Sequence, residues 1–196
     1  MSLEPTPRIA LPARQRRRLL LAAATAPLLL LARPAYAFGG SPPQEVVEHL
    51  AQARLQGSGR LRFFGLHVYD ARLWVGAGFR ADAYDRSALA LELEYARSFD
   101  GSAIAERSLV EMKNLAPIDD GRALAWRDEL ARILPDVKPG DRITGIALPG
   151  DSTRFYLNGK PIGALRDAQF TRLFFGIWLS PRTSEPGLRS SLIGRS

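Results

Sequence analysis

The sequence predicts an α+β protein, an antiparallel sheet with helices packed on one face. Three observations carry that prediction. Runs with strand chemistry come in two groups, each followed by two helical stretches. The later strands are joined by short spacers, one of them the dipeptide Asn158-Gly159, whereas a parallel crossover needs about a dozen residues or more. Residues 88–95 alternate cleanly, with Leu89, Leu91, Leu93 and Tyr95 on one parity and Glu92 and Glu94 on the other, as in a sheet that is wetter on one side.

Taken in order, residues 1–37 read as a cleaved signal peptide. A basic stretch, Arg14 to Arg18, precedes an apolar run from Leu19 to Leu31, and Ala35-Tyr36-Ala37 gives a small-x-small cleavage site. The run is shorter than the roughly 20 apolar residues of a membrane-spanning helix, so no stable span is expected after cleavage. Export to the periplasm or beyond follows, and Arg16-Arg17 leaves a twin-arginine route open. Residues 38–44 form a linker, and a single domain occupies 45–193. Its first element is a short amphipathic helix from Pro43 to Leu50.

Residues 59–75 form the longest proline-free run with strand chemistry. Both parities are apolar, so the run reads as one long central strand of about 15 residues, covered on both faces or shifting register, with Gly65 marking the shift. The Gly57-Ser58-Gly59 that opens it is no nucleotide loop, because such a loop opens a helix. After the 88–95 strand, Asp100 or Ser102 caps a helix over 103–115, with an apolar stripe of Ile104, Ala105, Ser108, Leu109 and Met112. Pro117 ends it. Asp119 or Asp120 starts a second helix carrying Leu124, Trp126, Leu130, Ile133 and Leu134, stopped at Pro135. Strands follow at 142–148, 153–157 and 160–165, and Asn158-Gly159 turns the last two into a hairpin. Asp167 caps a helix over 169–178, and a final short helix covers 186–193.

The chain has 196 residues, a formal charge of +7 and no cysteine. Residues 1–37 hold six arginines and one glutamate, which leaves +2 on the rest. No compact basic stripe with interleaved aromatics remains, so nucleic acid is not an expected partner. Disulfides, thiolate metal sites and cysteine nucleophiles are excluded, and no cofactor or metal signature is present.

Candidate site residues are few. His49 is expected on the solvated side of its helix. His67, beside Tyr69, is either a hydrogen-bonded core residue or an acid/base group. Asp70 and Arg72 read as surface partners. Arg107 lies at the margin of its helix stripe, where a guanidinium either anchors an anion or lays its stem over the core edge.

Phe64-Gly-Leu-His-Val-Tyr-Asp-Ala-Arg-Leu-Trp74, Asp100-Gly-Ser-Ala-Ile-Ala-Glu-Arg107, Leu173-Phe-Phe-Gly-Ile-Trp-Leu-Ser-Pro181 and Leu188-Arg-Ser-Ser-Leu192 together resemble the chalcone isomerase superfamily, in particular its exported bacterial chalcone isomerase-like branch. The resemblance implies an open-faced β-sandwich with a ligand cleft between sheet and helices. It does not imply the cyclisation of chalcones. The family's strand threonine falls at Phe64, its helix asparagine at Arg107, its tyrosine near Phe99 or Asp100 and its late hydroxyl near Leu173, while the strand arginine has two candidates, Arg54 and Arg60. Phenylalanine and leucine offer no donor to a developing oxyanion. The resemblance to non-catalytic, fatty-acid-binding members implies instead an apolar cleft lined by Phe64, Leu66, Ile104, Leu173 and Phe174, with Arg107 as anchor for a small amphipathic ligand. The same side chains could also meet as plain core. Two other readings stay open: an isomerase or intramolecular lyase using His67, Tyr69 and Arg107, and a protein-interaction module.

Overall fold

The computed structural model describes residues 40–194, and the expected signal peptide lies outside them. Six strands form one antiparallel sheet in the order β1 to β6: β1 (Arg54–Phe63), β2 (Leu66–Val75), β3 (Leu89–Tyr95), β4 (Arg142–Leu148), β5 (Ser152–Leu157) and β6 (Lys160–Leu165). Each strand pairs with its neighbour in sequence. Helices α2 (Gly101–Leu115) and α3 (Asp120–Ile133) interrupt the meander between β3 and β4, and α4 (Ala168–Leu179) and α5 (Pro186–Ile193) follow β6. Those four helices cover one face of the sheet. The main core lies beneath them, where Phe155, Phe170 and Phe175 are fully buried, each side chain contributing roughly 1.5–3 kcal/mol by removal from water.

The expected single strand across 59–75 is instead a hairpin, so this stretch supplies the edge of the sheet and not its centre. Phe64 and Gly65 form its two-residue turn, with φ of 47° and 76°. Both central positions of such a turn need positive φ, and a non-glycine residue held there costs roughly 1–2 kcal/mol. Pairing across the hairpin supplies the compensating hydrogen bonds. The register shift does occur, three residues later: Leu61 pairs with Tyr69 and Arg62 with His67, which leaves Val68 as an extra residue. Asn158 and Gly159 make the predicted turn with φ of 51° and 82°.

Close backbone approach explains the glycines at the start of the hairpin. A Cβ on Gly57 would lie 2.3 Å from the Ser191 carbonyl oxygen, and one on Gly59 would lie 2.7 Å from Leu188 Cδ1. α5 therefore lies directly on β1. Gly101 is under a similar constraint, because its Cβ would lie 2.0 Å from the Leu134 carbonyl oxygen. Here the expected cap is corrected. Neither Asp100 nor Ser102 satisfies the first turn of α2; Asp136 does, its Oδ1 accepting from the Gly101 amide at 2.9 Å. Asp167 caps α4 as predicted, accepting from the Phe170 amide at 2.9 Å.

The opposite sheet face is less wet than the alternation implied. α1 (Gln44–Val47) lies across it, and Val46 and Leu50 form a second small core with Trp74, Ala90, Ile146 and Tyr156. His49 is not free in solvent: its Nε2 lies 2.7 Å from the Tyr156 hydroxyl. Glu92, only 3% exposed, accepts from Arg72 Nη1 at 2.6 Å and from Trp74 Nε1 at 2.9 Å. Buried Glu45 accepts from Thr144 Oγ1 at 2.9 Å and Arg142 Nη2 at 3.2 Å. Both carboxylates are thus hydrogen-bonded, as buried charges must be. Asp70 pairs with Arg60 rather than Arg72, at 2.7 Å, and that guanidinium holds its carboxyl below the usual range.

Candidate functional site

A cavity of about 310 Å³ lies between the sheet and helices α2 and α4. Its floor is Leu61 and Phe63 of β1, Val68 and Tyr69 of β2, Leu93 and Tyr95 of β3, Ile143 of β4 and Phe155 of β5. The bulge at Val68 is what lets two consecutive residues of β2 face it, since side chains of a regular strand alternate between faces. Ala103, Ile104, Arg107, Ser108 and Glu111 form the α2 wall, with Phe99 just ahead of that helix, and Phe174, Ile177 and Trp178 form the α4 wall. Leu134, Ser184 and Glu185 complete the lining.

The walls are mainly apolar, and most of the polar groups fall into two separate hydrogen-bonded clusters. Trp178 Nε1 donates to the Tyr69 hydroxyl at 2.9 Å. Arg107 donates to Glu111 Oε1, one helical turn along, and Ser184 Oγ donates to Glu111 Oε2 at 2.9 Å. Glu111 is buried while the Arg107 side chain is 64% exposed, which places the guanidinium at the mouth. Ser108 spends its hydroxyl on the Ile104 carbonyl, at 2.8 Å. Tyr95 is 5% exposed, and no described residue hydrogen-bonds to its hydroxyl. Burial pushes the Tyr69 phenol up; the bond from Trp178 pulls it partly back, and Glu185 and Glu111 add to the rise. Burial, and then Tyr69 beside it, push the Tyr95 phenol up as well. Both phenols therefore stay protonated and can donate at ordinary pH.

Three of the expected ligand-contacting residues, Ile104, Arg107 and Phe174, meet at this cavity, as does Tyr69. Three do not. Phe64 is 89% exposed and Leu66 53% exposed at the hairpin turn, outside the lining, because the chain reverses where a continuous strand had been expected. Leu173 is buried core, one position around α4 from the lining residue Phe174. His67 is also absent from the lining, with its Nε2 3.3 Å from Asp70 Oδ1. Sequence reasoning missed Tyr95, Glu111, Trp178 and Ser184. Glu111 had a visible signal, its i,i+4 spacing from Arg107 on one helix face; Ser184 sits in a loop and had none. No trio of metal-ligating side chains occurs among the described residues, and none of the described helices is long and apolar enough to cross a membrane.

The family model described as chalcone isomerase-like matches residues 39–194. The chain belongs to the chalcone isomerase-like family. An uncharacterized protein of Haemophilus influenzae is 31% identical to this chalcone isomerase-like chain over 130 residues, covering 66% of the chain and 62% of the relative. The chain thus spans less than two thirds of that relative's length. The crystal structure of a fatty-acid binding protein from Arabidopsis thaliana superposes with a TM-score of 0.57 at 12% identity, over 73% of this chain and 87% of that one, a likeness of fold. Among the positions that resemblance assigned to chalcone cyclisation, Phe64 stands in solvent and Leu173 in the core, so neither touches the cavity of this chalcone isomerase-like protein.

Proposed function

We propose that this chain is an exported, non-catalytic binding protein that holds a small amphipathic ligand, such as a fatty acid, in the cavity between sheet and helices. The observation that carries the reading is the cavity itself: apolar walls, protonated phenols at Tyr69 and Tyr95, and a guanidinium at the mouth. Its volume falls at the lower end of the roughly 300–1,000 Å³ typical of small-molecule sites. The likeness of fold to a fatty-acid binding protein of Arabidopsis supports the ligand class, and the basic, apolar and small-x-small pattern of residues 1–37 supports export. A carboxylate headgroup competes with Glu111 for Arg107, since the two side chains are already paired. Like charge on Glu111 and Glu185 opposes an anion at the same place.

The isomerase reading asks for His67, Tyr69 and Arg107 around one cavity, and His67 lies outside it. Native mass spectrometry with lipid extraction tests the binding reading. The protein is expected to carry a stoichiometric acid that Arg107→Ala loses and Glu111→Gln retains more tightly. Protein and variants that are all empty, and take up no added long-chain acid, would overturn it.

A further inference from the structure

The cavity reading does not account for the exposed apolar side chains at the β1–β2 turn, of which Phe64 and Leu66 lie outside its lining. Phe63, Phe64 and Leu66 are 54%, 89% and 53% exposed. Phe63 and Phe64 stack edge to face with ring centroids 4.5 Å apart. Contiguous exposed apolar groups of this kind mark contact with a protein or a membrane. A turn that takes positive φ at Phe64, where glycine or asparagine is the ordinary choice, keeps an aromatic at its apex against local preference.

We propose that this hairpin tip docks the protein on an anionic lipid bilayer and sets the cavity mouth against the membrane. Charge is the first argument. Arg62 donates to the Gly65 carbonyl at 3.3 Å, so its guanidinium is held at the turn. Arg97 follows the end of β3, where the Ala96 amide bonds to the Val68 carbonyl on the neighbouring hairpin strand. Among the described ion pairs neither arginine faces a carboxylate. Aromatic and leucine side chains flanked by arginine suit an interface of acyl chains and anionic headgroups. Area is the second argument. The three side chains offer on the order of 400 Å², about half of the roughly 800 Å² per partner in a stable protein interface. A protruding tip of that size fits insertion better than docking of a second copy. Continuity is the third argument. Phe63 belongs both to the exposed pair and to the cavity lining, so the inserted element is also a wall of the ligand site.

The chain lacks cysteine, so a single Phe64→Cys, labelled with an apolar environment-sensitive dye, reports on the tip alone. Asp151→Cys, in the β4–β5 turn at the other end of the sheet, is the control. The variants differ only at the named positions, so any lipid affinity elsewhere in the chain is common to all of them. With phosphatidylcholine vesicles containing about one-third phosphatidylglycerol, the dye at 64 is expected to shift to the blue and the dye at 151 to stay put. Phe64→Ser with Leu66→Ser is expected to lower vesicle binding measured by flotation at least fivefold, and Arg62→Gln with Arg97→Gln to abolish the preference for anionic over neutral vesicles. No shift at 64, together with unchanged flotation of the serine variant, would overturn the proposal. A blue shift that grows with protein concentration without vesicles would overturn it too, assigning the tip to a second copy. Acid content of the cavity is read separately by mass spectrometry, so an empty cavity with a docked tip, or the reverse, separates this inference from the ligand reading.

Discussion

The Trp178 indole and the Tyr69 hydroxyl meet across the cavity at 2.9 Å, and that bond joins α4 to β2 over a space that is otherwise held open by apolar walls. Tyr69 accepts from the indole, which leaves its own proton for whatever occupies the cavity. Trp178→Phe removes the donor and some buried area. The expected loss is about 1–3 kcal/mol, or several degrees in thermal midpoint. Tyr69→Phe is expected to cost less in the empty protein, but to reduce the rise in midpoint that a bound long-chain acid produces. Thermal denaturation with and without acid separates the two effects.

Alkaline pH offers a second test. A phenol in an unfolded chain titrates near pH 10, and burial raises both Tyr95 and Tyr69 above that. The folded state therefore keeps protons that the unfolded state releases. Their stabilisation is complete below about pH 10 and is lost as pH rises toward the higher folded values, with a slope of about 1.4 kcal/mol per pH unit for each such group. Urea unfolding at about pH 9 and about pH 11 is expected to show a smaller loss for Tyr95→Phe than for the parent protein. Equal losses would remove this phenol from the account.

Gly101→Ala sets helix propensity against space. Alanine is favoured over glycine within a helix by about 1 kcal/mol, yet the added methyl would meet the Leu134 carbonyl oxygen at 2.0 Å. Backbone on both sides leaves little room to give. The substitution is expected to destabilise the fold by about 1–3 kcal/mol, read as a lower urea midpoint.

Glu92→Ala leaves the Trp74 indole unpaired and the second core breached. Removing one member of a buried ion pair costs about 3–5 kcal/mol, but Arg72 is partly exposed and retains Glu94 at 3.1 Å. A loss of about 2–3 kcal/mol is expected in chemical denaturation.

The later half of the fold was legible because its signals are local. Asn158-Gly159 names its own turn, and Asp167 stands where a cap must. Phe64-Gly65 is the same kind of turn written with an aromatic, so hydrophobic pattern alone ran straight through it and carried Phe64 and Leu66 into a cleft they do not reach. The swap of Asp136 for Asp100 at the start of α2, and the return of α1 over the far sheet face, depend on long-range packing that no spacing within either segment encodes. In the cavity, Ile104 was legible as part of an apolar helix stripe and Arg107 at that stripe's margin, whereas Phe174 came from the family resemblance alone. Tyr95 looked like ordinary core, and its open hydroxyl became visible only when its neighbours were in place.

The contact between Gly57 and Ser191 also fixes an order of assembly. Synthesis makes β1 early and α5 late, yet α5 carbonyls rest on the β1 backbone. Until α5 has been made, the first hairpin has one face without its cover. A ribosome-stalled chain ending before Pro186 would therefore present the β1 flank to chaperones.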